Sequence, residues 1–165
     1  MPEPYYQDPA ATLCQGDPWR GCYVGQRDLW APESFQHPAK MAPGLAFRIL
    51  EHLEERGLLR PDSVVLDPMA GISTTLLAAY MMGYAAVGVE LEPKFVALSE
   101  ANIERLVARH PGRAPRPLIL QGDARNLSGL LAETGMVGVM SPPYGEAQAG
   151  GGIVKKGYKD TGDMV

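Results

Sequence analysis

The chain has 165 residues, of which 45% are hydrophobic, and it carries a formal net charge of −4. This length suits one domain that buries about 70% of the surface of its unfolded form. No apolar run reaches the roughly 20 residues that cross a bilayer, and the N-terminus lacks the basic start and apolar core of a signal peptide. We therefore expect a cytoplasmic protein that does not act at a membrane.

Charge and cysteine content narrow the classes of partner. The acidic balance argues against a uniformly basic nucleic-acid binder, although a local basic face remains compatible with it. Cys14 and Cys22 are the two cysteines of the chain, and their spacing fits no zinc pattern. The sequence therefore predicts no metal site.

The first predicted helix follows an irregular segment. Residues 1–40 are rich in proline and aromatic residues without clear periodicity, which predicts an irregular arm containing one short helix. Leu45, Ile49 and Leu53 then recur at helical spacing, between Pro43 near the start and Gly57 as a stop. This pattern predicts a helix over 43–56 at the start of a core domain over 41–144.

Strand and helix patterns alternate through the rest of this predicted core. Apolar runs predict strands over 63–67, 85–90, 117–121 and 136–140. The segments between them predict helices over 75–82, from Pro93 to a breaker at 110–112, and over 127–133. Alternation of this kind predicts an α/β fold, with a parallel sheet covered on both faces and ligands at the carboxyl ends of the strands.

The last segment, 145–165, is glycine-rich and includes Lys155, Lys156 and Lys159. It predicts a mobile loop or a truncated C-terminal part. A solvated loop is favoured over a DNA contact, because sequence-specific recognition needs an ordered element in a groove.

The segment from Asp67 to Thr75 follows the first predicted strand and contains one glycine, Gly71. We call this segment the glycine turn. Glycine lets the backbone approach a ligand closely, and the helix that follows offers free amide groups. Asp67 is suited to bind the ammonium group of an amino-acid-like ligand. Taken alone, the segment also fits a tight strand-to-helix turn with a capping Ser or Thr.

Acidic residues also follow the second and third predicted strands. Glu90 lies about 20 positions after the glycine turn, where an acidic residue binds ribose hydroxyls in nucleotide-binding βαβ units. Asp123 in Gln121-Gly122-Asp123-Ala124 can accept a hydrogen bond from an adenine amino group. The alternatives are a solvated acid at a strand end for Glu90 and a simple helix cap for Asp123.

Ser141-Pro142-Pro143-Tyr144 follows the fourth predicted strand. Two prolines between a polar residue and an aromatic make a stiff, open corner that presents carbonyl acceptors and a flat ring to a planar base. The alternative is a proline turn with Tyr144 as a packing residue, but consecutive prolines are unusual at the end of a buried strand.

Together, these four segments resemble the S-adenosylmethionine-dependent DNA amino-methyltransferases over about residues 35–145. His37-Pro38-Ala39-Lys40 also matches a cofactor motif of that family. Along the chain this motif comes first, the glycine turn second and the catalytic corner at Ser141-Pro142-Pro143-Tyr144 last. The resemblance implies a Rossmann-like methyltransferase fold. The cofactor-binding residues that it implies are His37, Lys40, Asp67, Pro68, Ala70, Gly71, Ser73, Thr74, Glu90, Asp123 and Ala124.

The chain departs from the family pattern at two positions of the turn. The family commonly has a glycine where this chain has Ser73, and an aromatic residue where it has Met69. Both differences predict an altered fit of the cofactor.

The resemblance implies direct methyl transfer to an exocyclic amine of a flipped-out DNA base, with a possible setting in restriction and modification. The implied catalytic residues are Ser141, Pro142, Pro143 and Tyr144. Ser141 favours N4 of cytosine, since adenine-directed relatives more often carry Asp or Asn at this position. N6 of adenine, an RNA substrate and a non-catalytic cofactor-binding domain stay open as alternatives.

The fold that the resemblance implies has seven strands, whereas the sequence predicts four. The fourth strand is internal in that topology, so here we expect its far edge to be open. We therefore expect an incomplete enzyme, which a missing C-terminal part, a second subunit or another copy of the chain completes.

Overall fold

The computed structural model describes Trp19, Cys22 and residues 30–36, 40–131 and 135–142. The regular elements of these residues are a 3-10 helix at Pro32–Gln36, α1 at Pro43–Glu55, β1 at Val64–Asp67, α2 at Thr74–Met82, β2 at Ala85–Glu90, α3 at Pro93–Arg109, β3 at Leu118–Gln121, a second 3-10 helix at Ala124–Asn126, α4 at Leu127–Leu130 and β4 at Val137–Gly138.

The described strands form one parallel sheet in the order β3-β2-β1-β4. Asp67 pairs with Gly88, and Glu90 pairs with Gln121. At the other end of the order, β4 pairs with β1 through Val65 and Val137. The predicted α/β fold with parallel, Rossmann-like strands is therefore confirmed, and β4 lies at an edge of the described sheet.

Helix α2 lies at the centre of the core. It is apolar around its circumference, and Thr74 to Met81 are all buried, as expected for a helix enclosed on every side. It contacts β1, β2, α1 and α3. Because the glycine turn leads directly into α2, this packing anchors the end of the turn.

The two faces of the sheet differ in how completely they are covered. On one face, Val65, Ala86 and Ile119 are at most 5% exposed and belong to the core that includes α2. On the other face, Val64 and Val87 are half-buried and Leu118 is 45% exposed. The sheet is thus fully covered on one face and partly covered on the other in the described residues.

Most predicted element bounds agree with the structure to within one residue, and the short helix expected in the N-terminal arm is the 3-10 helix at Pro32–Gln36. Two predictions near the C-terminal side were wrong. The helix predicted over 127–133 ends at Leu130, because Leu131 is already extended and Gly129 weakens a helix interior. The strand predicted over 136–140 is limited to Val137–Gly138, since it pairs only along part of the short strand β1. The loop predicted over 145–165 lies outside the described residues.

Candidate active site

The carboxyl ends of β1, β2 and β3 meet at one edge of the sheet. The amide of Ala70 donates to the carbonyl of Val89 at 2.9 Å, and the amide of Gly122 donates to the carbonyl of Glu90 at 3.0 Å. The segments after these three strands, each predicted to bind a ligand, are therefore joined by backbone hydrogen bonds.

Asp67 organises the turn that follows β1. Its carboxylate accepts a hydrogen bond from the amide of Met69 at 3.0 Å and another from the hydroxyl of Thr75. The side chain is only 3% exposed, and burial, helped by the nearby charge of Glu90, raises its pKa to about 6. Asp67 thus acts as a turn-forming residue in the structure, and its contact with a ligand ammonium stays a prediction.

Glu90 fastens the turn to the end of β2. One carboxylate oxygen accepts from the amide of Gly71 at 2.9 Å, and the other accepts from the amide of Glu92 at 2.8 Å. Burial raises the pKa of this half-buried carboxyl above its usual range. Since each carboxylate oxygen has a second lone pair, Glu90 is oriented by the backbone and can still accept hydrogen bonds from a diol.

The turn contains an unusual residue at Ser73. Its φ of 69° and ψ of 29° lie in the left-handed region, which L-residues other than glycine adopt at a cost. Ser73 is 0% exposed, and its hydroxyl has no hydrogen-bond partner among the described residues. The backbone conformation gives a physical reason why a glycine suits this position, where the sequence departs from the family pattern.

Two buried polar residues of α3, Ser99 and Asn102, also hold the turn, and sequence reasoning missed them. Ser99 donates to the carbonyl of Gly71 at 2.7 Å, and Asn102 donates to the carbonyl of Ile72 at 3.0 Å. Ser99 lies four residues before Ile103, and Asn102 lies four residues before Leu106, so both stand at the helical spacing of the buried stripe. Polar residues within an apolar stripe are the sequence signal that would have identified them.

Asp123 caps the 3-10 helix after β3. It accepts from the amide of Arg125 at 2.9 Å, and the Arg125 guanidinium also binds its carboxylate, at 2.7 Å for the shortest contact. This pairing lowers the pKa of Asp123. The helix cap that the sequence offers as the alternative role of Asp123 is therefore present, and Arg125, which no sequence pattern indicates, lies against the predicted adenine acceptor.

The predicted catalytic corner also begins where the parallel strands have their carboxyl ends. The amide of Val139 donates to the carbonyl of Leu66 at 2.9 Å, so the chain leaves β4 beside the start of the glycine turn. Ser141 is half-buried and Pro142 is exposed. Pro143 and Tyr144 lie outside the described residues.

The remaining predicted cofactor-binding residues differ in burial and in the element to which they belong. Pro68 and Ala70 are buried within the turn, and Thr74 is buried at the start of α2. Ala124 belongs to the 3-10 helix that Asp123 caps. Lys40 is half-buried, and burial lowers its pKa. His37 lies outside the described residues, and the binding of the cofactor by His37 and Lys40 stays a prediction.

Two further observations concern metal binding and membrane crossing. Within residues 40–131 and the shorter described segments, no three side chains of His, Cys, Asp or Glu come together as a possible metal site. In the same part of the chain, no helix has both the length and the apolar character required to cross a membrane.

Two solved structures show partial similarity to this chain. An RNA methyltransferase from Salinibacter ruber in complex with S-adenosyl-L-homocysteine is 22% identical, with a TM-score of 0.44 over 53% of this chain and 52% of that one. P. horikoshii TYW2 in complex with MeSAdo is also 22% identical, with a TM-score of 0.36 over 46% of this chain and 27% of that one.

Sequence comparison is more informative. The Type II methyltransferase M2.MboI of Moraxella bovis is 31% identical over 92 residues, which are 56% of this chain and 31% of that protein. The chain thus spans about a third of the length of this curated relative. The family model described as DNA methylase, for N6 and N4 methyltransferases, matches residues 13–101, which include β1, the glycine turn and Glu90. The chain therefore belongs to the N6/N4 DNA methylase family.

Proposed function

We propose that this chain transfers a methyl group from S-adenosylmethionine to the exocyclic N4 of cytosine in a flipped-out DNA base. One observation carries the proposal beyond family membership. The Ser141 corner follows β4, and β4 pairs with β1, whose end leads into the glycine turn. Adjacent strands are separated by about 5 Å, so a cofactor at the turn and a base at the corner would lie side by side.

The chemistry of the strand-end residues fits S-adenosylmethionine. Its ribose needs acceptors for two hydroxyls, and Glu90 has the lone pairs left over from its two backbone bonds. Its ammonium group suits the carboxylate of Asp67, and its adenine amino group suits that of Asp123. Gly71, with a φ of 54°, provides a position without a side chain where the backbone can approach a ligand.

S-adenosylmethionine supplies an electrophilic methyl group on a sulfonium. The exocyclic amine is a poor nucleophile, because its lone pair is conjugated with the ring of the base. The hydroxyl of Ser141 and the carbonyl of Pro142 accept hydrogen bonds from the N–H groups of this amine. Such acceptors favour a tetrahedral nitrogen and stabilise the positive charge that develops on it.

The rest of the corner holds the base. Pro143 fixes the backbone after Pro142, and Tyr144 stacks on the ring of the flipped-out base. Adenine-directed relatives more often carry Asp or Asn at the position of Ser141. The serine of this chain therefore supports N4 of cytosine as the acceptor. N6 of adenine differs from it in the product, so the assay below separates the two.

The test is methyl transfer by the full chain from labelled S-adenosylmethionine to unmethylated DNA of mixed sequence, with RNA in parallel, followed by nucleoside analysis. We expect N4-methylcytosine as the product. Ser141→Ala combined with Tyr144→Ala should abolish transfer while cofactor binding, measured by calorimetry, stays unchanged. Ser128→Ala, at an exposed serine of α4, is the matched control and should keep full activity.

Each alternative has its own outcome. A product containing only N6-methyladenine would overturn the cytosine assignment, and label found only in RNA would overturn the DNA assignment. Wild-type activity in the double variant would remove the corner from the mechanism. Tight cofactor binding without transfer to either nucleic acid would overturn methyl transfer by this chain alone, in favour of a non-catalytic cofactor-binding domain or of an enzyme that a further part must complete.

A further inference from the structure

Helix α3 buries two polar side chains, Ser99 and Asn102, that the proposed reaction does not use. Both are 0% exposed. A buried polar group that lacks a hydrogen bond is costly, so such groups are retained where they have specific partners. The partners of these two residues lie in the glycine turn, which is part of the proposed cofactor pocket, and in the N-terminal segment at 31–34.

Asn102 forms a bridge between two distant parts of the chain. Its amide nitrogen donates to the carbonyl of Ile72 at 3.0 Å. Its amide oxygen accepts from the backbone amide of Ala31 at 2.7 Å and from the hydroxyl of Ser34 at 3.0 Å. The orientation of the side-chain amide follows from its partners, since a backbone carbonyl can only accept and a backbone amide can only donate.

Ser99 acts on the glycine turn alone. Its hydroxyl donates to the carbonyl of Gly71 at 2.7 Å, while the amide of the same residue donates to Glu90 at 2.9 Å. Gly71 is thus held on both sides by side chains from β2 and α3. Ser99 and Asn102 therefore differ in one respect: only Asn102 also reaches the segment at 31–34.

We propose that Asn102 is a positioning residue for the cofactor, which it serves by fixing the glycine turn relative to the N-terminal segment at 31–34. This inference rests on the proposed function, because it assumes that the turn and the arm ending at Lys40 line one pocket. The 3-10 helix that contains Ser34 belongs to this arm and ends at Gln36, four positions before Lys40 in the sequence. Loss of the bridge releases the two sides of the pocket from each other without removing any group that touches the cofactor.

The binding and kinetic test compares three variants of α3 and its partners, and the exchange measurement adds Ser99→Ala. Asn102→Asp keeps the shape and the acceptors but places an oxygen against the carbonyl of Ile72. Ser34→Ala removes one donor and leaves the Ala31 contact, so it is the milder variant if Asn102→Asp folds poorly. Ile103→Val is the matched control, because Ile103 is the next residue of α3, is 0% exposed and has no polar group.

We measure the Kd for S-adenosylmethionine by calorimetry, the KM and kcat of methyl transfer, and the melting temperature. In Asn102→Asp we expect the Kd and KM to rise about tenfold, with kcat changed less than threefold. In Ser34→Ala we expect a smaller rise in the same direction. Ile103→Val should lower the melting temperature while the Kd and KM stay within twofold of wild type.

Hydrogen exchange without ligand adds a readout that a general loss of stability does not produce. Asn102→Asp should accelerate exchange both at 31–34 and at 70–73, whereas Ser99→Ala should accelerate it only at 70–73. Kd values of the Asn102 and Ser34 variants that match Ile103→Val would overturn the inference alone. A wild-type chain that binds no S-adenosylmethionine would overturn the proposed function, and this inference with it.

Discussion

Ser73 and Ser99 are two buried serines beside the same turn, and replacing each with alanine should change stability in opposite directions. Both are 0% exposed. The hydroxyl of Ser99 donates to the carbonyl of Gly71 at 2.7 Å, whereas the hydroxyl of Ser73 has no partner among the described residues. Alanine removes only the hydroxyl in each case. At Ser73 it also keeps the Cβ atom, so the cost of the positive φ is unchanged.

The magnitudes follow from the energetics of buried polar groups. A buried hydroxyl without a hydrogen bond costs roughly 1–3 kcal/mol, so Ser73→Ala should raise the free energy of unfolding by about 1–2 kcal/mol. A typical buried hydrogen bond contributes about 1 kcal/mol, so Ser99→Ala should lower it by about that amount or somewhat more, since the Gly71 carbonyl loses a donor. Glycine at position 73 is less informative, because relief of strain, lost side-chain burial and chain entropy nearly cancel.

The assay is chemical unfolding of the full chain, with thermal melting as a second measure. For a chain of this size, 1 kcal/mol corresponds to about 2–4 °C, so the two variants should melt at least about 4 °C apart, with wild type between them. Ser128→Ala, at an exposed serine of α4, is the control for loss of a hydroxyl at the surface. A Ser73→Ala variant less stable than wild type would refute the reasoning, because it would mean that the hydroxyl has a stabilising partner.

Three further predictions concern the strand ends. The pKa of Asp67 is raised to about 6 in the folded chain, so the folded state holds its proton more tightly than the unfolded state, and stability falls as pH rises from about 4 to 6. Asp67→Asn should remove roughly 2 kcal/mol of this fall, measured by chemical unfolding at pH 4 and pH 7. Gly88→Ala should destabilise by about 1–3 kcal/mol in the same assay, because its Cβ atom would lie 2.8 Å from that of Ala70 and 2.9 Å from a methyl group of Leu76. Glu90→Gln should weaken S-adenosylmethionine binding at least tenfold by calorimetry, since a neutral amide with one acceptor oxygen replaces a charged carboxylate with two.

Each of these predictions has a control and a contradicting result. Equal pH dependence in wild type and Asp67→Asn would show that another group titrates in this window. Gly138→Ala is the control for Gly88→Ala, because a Cβ atom there meets nothing within 4 Å, and equal loss of stability in both would contradict the packing argument. Unchanged affinity in a folded Glu90→Gln chain would remove Glu90 from the cofactor site.

The strands and the main helices could be predicted because their signals are local. Apolar runs identify β1 to β3, and Pro93 with the breaker after Arg109 sets the ends of α3. The joint position of Asp67 and Glu90 also followed from topology, since parallel strands end at one edge of the sheet. The family resemblance was likewise available from the sequence. Of the segments that carry it, the glycine turn and Glu90 lie within the residues that the family model matches, whereas Asp123 and Ser141 lie beyond them.

The partners of the site residues were not predictable in the same way, because they depend on contacts between distant segments. Nothing in the sequence near Asn102 indicates that its acceptors and donors lie 30 and 71 residues away. The pairing of Asp123 with Arg125 is local, but a spacing of two residues after a strand does not reveal whether a carboxylate is free or paired. The enclosure of Asp67 likewise depends on how the turn folds back on α2.

These contacts give different roles to the three acidic residues at the carboxyl ends of the strands, Asp67, Glu90 and Asp123. Asp67 is nearly enclosed and binds the turn itself, so its replacement should affect stability as well as ligand binding. Glu90 is held by two backbone amides and keeps lone pairs for a ligand. Asp123 is paired with Arg125 at the surface, so a ligand amino group must compete with the guanidinium for the same oxygens. Of the three, Asp123 is therefore the residue whose replacement disturbs the fold least, whereas a change at Glu90 alters the proposed ribose acceptors together with the attachment of the turn to β2.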